Sequence, residues 1–506
     1  MLGAVLGLGA GALGLAAGAG CEPASRRTPD DTLVMVTESA ITTADPRFAV
    51  SSWETKLSRL VTAGLMVVDT DDLQPRLYLA SHREDRDDRT VDFTIRPDAR
   101  FSDGTQVTAQ DVVLTFQSVL EPKSKSLHSK AYNERFARLE ALGERVVRFH
   151  LKEPLATLGS DLDFGILSPK GLGAGPYILR ELTSTHASLE ANPHYFGPRP
   201  KLPRLVIKFV RDSAARMLMI VGGSADLLQN GVRMDLIEEV RGRPRVQIQT
   251  GRSVVLTYLM MNTADPLLRD VRVRQAIAYA IDRPAIVAAR YGGHAQLATG
   301  LLPELHWAYE GDVPRYDHDL ARAAALLDAA GFPDPDGAGP RPRMHLVYKT
   351  SSDAFRVAVA RVIAAQLSRV GIEVDVRAFE FATFFPDVKK GIYQLASMQS
   401  AELNEPDYYY FYFHSSRIPD ERNPDGGNRW RYRSADIDRL TEAGRRELDL
   451  RKRKAIYGEI QRRIATDVPV IALWHEDNVV LVNSDVHGYR VTPNARLVSL
   501  PEMWKD

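Results

Sequence analysis

The 506-residue chain sets 65 Lys and Arg against 65 Asp and Glu, so no charge excess calls for nucleic acid or another polyanion as partner. Apolar residues make 44% and charged residues 26% of it, ordinary for a globular protein working in water, and beyond the leader no apolar run approaches the ~18 residues of a membrane span. One cysteine excludes a disulfide framework, and the length exceeds a single core, so two or three domains are expected.

The chain opens on an uncharged stretch, MLGAVLGLGAGALGLA, and passes through AGAG to Cys21 and the polar EPASRR. An apolar run ending in small residues reads as a signal peptide. Cleavage before Cys21 would make it the new N-terminus, able to carry lipid, and this pattern resembles a bacterial lipoprotein signal. Gly18 stands where such signals usually have Leu, and a basic n-region is missing. An uncleaved apolar anchor and an incidental cysteine are the alternatives. The expectation is a signal peptide over 1–20 and a lipid-anchored tether over 21–30.

Thr32 to Val36 read as the core of a first strand. Trp53, Leu57, Leu60 and Val61 then recur at helical spacing. Val91, Phe93 and Ile95 alternate with Asp92, Thr94 and Arg96, the pattern of a half-buried strand with the polar residues outward. Thr108 with Asp111 three residues on resembles a capping box, and Val112, Val113, Phe116 and Leu120 mark one face of the helix that follows. Two strands precede a Pro-rich crossing and a third strand at Leu205, Ile207 and Phe209. The stretch VRVRQAIAYAIDRPAIVAARYGG predicts one helix capped by Asp270, with Val273, Ile277 and Ile281 inward. Asp317 or Asp319 caps a short helix stopped at Gly331. Across Gly371 the apolar period switches from 3.6 to 2, so a helix gives way to a strand with Ile372, Val374 and Val376 on one face. Blocks of helix and strand thus alternate throughout, which predicts an α/β fold with a sheet in each of two lobes.

Catalytic motifs are missing from this reading. There is no nucleophile elbow, no Walker loop, no H-E-x-x-H and no cysteine cluster. The twelve histidines are scattered without metal-ligand spacing. His475, between Trp474 and Glu476, reads as a partly buried, satisfied histidine. Neither an enzyme nor a cofactor is expected.

A series of longer stretches carries a resemblance. ADPRF (44–48), LVTAGLMVVD with LQPRLYLASH, FTIRPDARFSDGTQVTAQDV, GAGPYIL, NPHYFG, DVRVRQAIAYAIDR and LLDAAGF occur in order. Together they resemble the solute-binding proteins of bacterial ABC importers, the large peptide/nickel class called family 5, over nearly everything after residue 30. The resemblance implies a two-lobed periplasmic-binding-protein type II fold of the large cluster C type, with an extra small domain and a cleft that closes about a hinge. The implied boundaries are a discontinuous first lobe (31–66, 173–262 and 478–506), a small domain (67–172) and a second lobe (263–477).

What the resemblance implies for function is binding without covalent chemistry. A monomer held at the envelope membrane by its lipid would capture a small solute, short peptides above all, and deliver it to the permease subunits of an importer. Nickel chelates, oligosaccharides, opines and haem are carried by the same family, and a peptide-sensing receptor without transport is a further alternative. The stretch SMQSAELNEPDYYYFYFHSS stands where the family has W-x-A-D-Y-x-D-P. Glu402 takes the place of the Asp that meets a peptide's ammonium, one methylene longer, and Leu403 replaces the aromatic. Asn404, Glu405 and Tyr408 follow as candidate lining. Tyr258 and Asn262, near the expected lobe crossing, and Trp53, reaching in from the first lobe, complete the candidate ligand-binding set. Half of the aromatic run from Tyr408 to Phe413 is expected in the core.

Overall fold

The computed structural model describes residues 28–506 apart from Arg233, Ala338, Ala401 and Glu402. The readings of Cys21 and Glu402 therefore lie outside the described residues. Among the described residues, one eleven-stranded sheet runs through both lobes. From one edge its order is Ile372–Phe379, Met344–Ser351, Leu395–Ser400, Val246–Met261, Val470–Asn483, Leu227–Gln229, Thr32–Thr37, Arg204–Phe209, His186–Ala191 and Tyr177–Leu182, with Ala295–Leu297 added beside Val470–Asn483. Each lobe's share of the sheet is packed on both faces, as strands built from Val, Leu, Ile and Met demand.

Two long antiparallel strands, Val246–Met261 and Val470–Asn483, join the lobes. Val246 to Gly251 pair with Asn478 to Asn483, and Val255 to Met260 pair with Val470 to Glu476, with a register break between Gly251 and Val255. Before the break the pair belongs with Leu227–Gln229 and the first lobe. Beyond it, Leu256 to Met261 pair with Leu395–Ser400 of the second. The strand thus changes its outer partner between Gly251 and Val255. The extended backbone hides this from the sequence, because β-residues pair equally well with either neighbour.

The small domain is a four-stranded antiparallel sheet of Ala80–Asp85, Thr90–Ile95, Val146–Leu151 and Phe136–Leu142, with the helix Ala109–Leu120 laid on it. The Phe116 ring stands edge-on to those of Phe136 and Phe149, with centroids 5.6 and 5.5 Å away. Thr108 and Asp111 form the expected capping box: Asp111 N–H donates to Thr108 Oγ1 (3.3 Å) and Thr108 N–H to Asp111 Oδ2 (2.8 Å). The domain is fixed to the first lobe by the bridge between Ala63 and Ile166 and by Tyr78 N–H donating to Leu65 O at 3.0 Å.

Two local expectations change. The single helix after Asp270 is two, Val271–Ala280 and Arg283–Tyr291. Pro284 has no N–H to continue the first helix, and Asp282 caps the second by accepting from Ala285 N–H at 3.0 Å. Asp92, expected outward, is buried at 3% exposure. Arg148 Nε and Nη2 reach it at 2.7 and 2.8 Å and Arg86 Nε at 2.8 Å, so two guanidinium groups roof the outer face of the strand and compensate the carboxylate.

The hydrogen bond from Arg148, followed by that from Arg86, outweighs burial and holds the Asp92 carboxyl below its ordinary 3.8. A depressed folded pKa contributes stability above the unfolded value and loses it as pH falls through the folded one. Asp92→Asn should therefore cost about 2 kcal/mol at pH 7. The gap in urea midpoint between wild type and variant should close as pH drops below 3.8; a gap constant down to pH 2 would contradict the pairing.

Candidate functional site

Between the lobes lies a cavity of about 1050 Å³, at the upper end of the range typical of ligand sites. Its first-lobe wall comes from Ser213 and Arg216 on the helix Ser213–Val221 and from Gly231, Val232 and Met234. Thr257, Leu473, Trp474 and Glu476 of the crossing strands form its base. The second lobe supplies the helix end Arg290–Tyr291, the helix start Asp353–Arg356 and the strand segment Ser397–Gln399.

The polar groups of the base are organised around Glu476. Its Oε1 accepts from Thr257 Oγ1 at 2.6 Å and from Tyr291 OH at 3.1 Å. Burial pushes the Tyr291 phenol well above its ordinary range, with the Glu476 charge adding to the effect, so it donates and does not ionise. On the first-lobe side the Arg216 guanidinium is 3% exposed. It donates through Nη1 to Val210 O and Arg211 O, both at 2.8 Å, and through Nη2 to Gly231 O at 2.5 Å. Glu38, at the end of the first strand, accepts from Trp53 Nε1 at 2.9 Å. The cavity thus presents a carboxylate in its base, Glu476, and on its walls Arg216 from the first lobe and Arg290, Asp353 and Arg356 from the second, an arrangement suited to a polar solute.

The predicted residues are dispersed. Trp53 is buried under the Lys56 ammonium, 4.4 Å from its ring centroid, and its Nε1 donates to Glu38 Oε1 at 2.9 Å. Tyr258, at 1% exposure, is core: its ring stands edge-on to Trp430, and its hydroxyl accepts from Ser400 Oγ at 3.3 Å. Asn262 closes the turn after the strand, donating from Nδ2 to Gly391 O (3.1 Å) and Tyr393 O (3.0 Å) and accepting from Ala264 N–H (3.2 Å). Asn404 is held by its backbone, whose carbonyl accepts from His306 Nε2 at 3.3 Å, while its Oδ1 is buried without a hydrogen-bond partner among the described residues. Tyr408 stacks on Tyr412 with centroids 6.0 Å apart. Tyr409, Tyr412 and Phe413 of the aromatic run are buried in the second lobe.

Glu405 joins the small domain to the second lobe. It is ion-paired with Arg453 and accepts from Ser160 Oγ at 2.9 Å. Its neighbour Asp407 pairs with Arg445 at 3.1 Å and with the small domain's Arg135 at 3.8 Å. Ala156 N–H donates to Arg445 O at 2.9 Å, and Glu153 pairs with Arg446 at 2.8 Å. Burial pushes the Glu405 carboxyl up while the Arg453 charge opposes it.

Sequence reasoning missed Arg216, Thr257, Tyr291 and Glu476. For Arg216 a signal existed. It lies one helical turn before Ile220 on a stripe otherwise apolar, and a cation on a buried stripe needs a partner or a ligand. His475, the neighbour of Glu476, is buried, and desolvation lowers its pKa to about 4, so it stays neutral.

Residues 72–420 match the sequence profile of the bacterial extracellular solute-binding proteins, family 5 Middle. Protein XP55 of Streptomyces lividans is 30% identical over 447 residues, covering 83% of this chain and 79% of that protein. The oligopeptide-binding protein AppA of Bacillus subtilis, solved in complex with a nonapeptide, is similar over 94% of this chain and 99% of its own, with a TM-score of 0.77 and 25% identity. NikA of Brucella suis, solved with Fe(III)-EDTA, covers 94% of this chain and 100% of its own with a TM-score of 0.84 at 20% identity. With the profile matching more than half of its length, and with two lobes flanking one cavity, this chain belongs to the bacterial extracellular solute-binding proteins, family 5.

Proposed function

We propose that this chain captures a short peptide between its lobes, outside the cytoplasm, and delivers it to the permease of an ABC importer. The observation that carries the reading is the cavity of about 1050 Å³ lined by both lobes and by the strands that join them. Groups of both signs on its walls suit a zwitterionic chain, and the similar protein solved with a nonapeptide supports peptide over other solutes. The first lobe is assigned 31–66, 173–251 and 478–506, the small domain 67–172 and the second lobe 255–477, the hinge being the register break between Gly251 and Val255. Opening admits the solute, and closure expels water and brings the second lobe over it.

Glu402 is assigned the ligand's ammonium. A desolvated carboxylate–ammonium pair loses about 2–5 kcal/mol when one partner is truncated. Cys21 is assigned the lipid that keeps the monomeric protein near its permease and raises its effective concentration there. No step of this cycle makes or breaks a covalent bond in the solute.

Thermal-shift titration against short peptides, each paired with its N-acetylated twin, tests the ligand class. A ligand at 100 times its Kd adds about 2.7 kcal/mol of stability. Free peptides should stabilise and their twins should not, and Glu402→Gln should erase the difference. Equal stabilisation by both twins would remove Glu402 from this role; no response to any peptide would transfer the reading to sugars or metal chelates. For the anchor, cells fed radiolabelled palmitate should label the wild-type protein and release Cys21→Ala into the soluble fraction. Labelling that survives the substitution would sink the lipid assignment.

A further inference from the structure

The small domain begins with a short hairpin, Met66–Val67 against Arg76–Leu77, whose loop is built against the usual rules for a surface turn. Leu73 has φ +64°, a left-handed conformation that turns ordinarily give to Gly, Asn or Asp. The loop fixes it there. Leu73 N–H donates to Thr70 O at 3.2 Å, Thr70 Oγ1 to Gln74 O at 3.0 Å, and Gln74 N–H and Nε2 to the Asp72 carboxylate at 3.1 and 2.9 Å. In water such a leucine would combine backbone strain with an exposed apolar side chain. Here Leu73 is 1% exposed and belongs, with Val68, to the second lobe's apolar cluster, which contains Leu301, Leu302, Ala308 and Tyr457. Only the cover of the second lobe offsets what this loop costs.

The loop and a second contact of the small domain converge on one side chain. Asp72 O accepts from Trp307 N–H at 3.4 Å. The Arg453 guanidinium lies over the Trp307 ring, 5.3 Å from its centroid, and is ion-paired with Glu405. Glu405 in turn accepts from Ser160 Oγ of the small domain at 2.9 Å. Ser160 is next to the loop, since a Cβ on its neighbour Gly159 would stand 2.7 Å from Pro75 Cγ. From the first lobe, Asn494 Nδ2 donates to Val68 O at 2.8 Å. The loop is thus fastened to one lobe while its leucine is seated in the other.

We propose that Leu73 is a latch that seats in the second lobe when the lobes close and retains the solute without touching it. This rests on the lobes closing over a solute in the interlobe cavity. Opening withdraws Leu73 into water and removes the packing that offsets its strained backbone, so the latch opposes release equally for every solute. Leu73 is not among the residues lining the cavity of about 1050 Å³. It sets how long a solute is held and not which solute is chosen.

The test is stopped-flow fluorescence of the intact protein with two tripeptides of unlike sequence. Leu73→Gly accepts the same φ without strain and removes the seated side chain. It should raise koff by about tenfold or more, by the same factor for both peptides, with kon changed by less than about threefold. Leu73→Met keeps an apolar side chain of similar volume and should hold koff within about threefold of wild type. Circular dichroism melts establish that each variant is folded, and Leu73→Asn, which also accepts the left-handed turn, replaces Leu73→Gly if that variant does not fold. An unchanged koff in the folded variant, or a rise confined to one peptide, overturns the latch and leaves the peptide reading intact. Should neither tripeptide bind the wild type, the peptide reading falls and small-angle scattering of the ligand-free protein decides. A larger radius of gyration for Leu73→Gly than for wild type then upholds the latch, and equal radii overturn it.

Discussion

Everything in this molecule depends on two strands being shared by two lobes. Val246–Met261 and Val470–Asn483 pair with one another on both sides of Gly251, so each lobe completes its sheet with backbone that the other lobe also uses. A strand pair cannot slip by one residue without turning every side chain to the opposite face. The relative placement of the two cores is therefore set by the paired stretches on either side of Gly251 to Val255, where the register shifts, as it does again between Thr257 and Tyr258. The interruption and the base of the cavity are neighbours: Thr257 and Glu476 lie within a few residues of it. A solute held on that base, as proposed, would touch the segment where the strand changes partners.

The small domain gives closure a second attachment. It is bonded to the first lobe through main-chain contacts between Ala63 and Ile166 and between Leu65 and Tyr78, and meets the second lobe through polar contacts around Glu405 and Asp407 and through Val68 and Leu73, buried in that lobe's apolar cluster. The two kinds of contact have different consequences. Main-chain pairing on one side makes the domain travel with the first lobe. On the other side, the ion pairs exchange for hydration when the lobes separate, so their net contribution is small compared with their number. Glu405 fits this role better than that of a ligand contact, because Arg453 and Ser160 already occupy its oxygens.

Local structure was legible wherever one element decides its own fate. The capping pair Thr108 and Asp111, the alternation through Val91 to Ile95 and the change of period at Gly371 are all local signals, and the family resemblance in the order of motifs extends them to the architecture. What eluded the sequence was set by partners distant along the chain. Asp92 is inward-looking in effect because Arg86 and Arg148 cover it, and no spacing rule connects residue 92 with residue 148. Asn262 and Tyr258 sit near the crossing, but their polar atoms are taken by Gly391, Tyr393 and Ser400, so proximity in sequence to the hinge did not translate into exposure in the cleft. The cavity residues Arg216, Tyr291 and Glu476 come from three separate segments, and only folding reveals that they share one space.

A solute-binding protein must bind tightly when closed and release when opened, and a ligand can shift that equilibrium only by its difference in affinity between the two states. Apolar walls alone favour closure with or without a ligand, because burying them is favourable in either case. Buried charge behaves differently. A guanidinium compensated only by carbonyls is more costly in the closed, drier cavity than in the open one, where water reaches it. Such a charge penalises empty closure and rewards closure over a ligand of opposite sign. Glu476, in the base, is satisfied by Thr257 and Tyr291, and Arg216, on the first-lobe wall, is held by the carbonyls of Val210, Arg211 and Gly231.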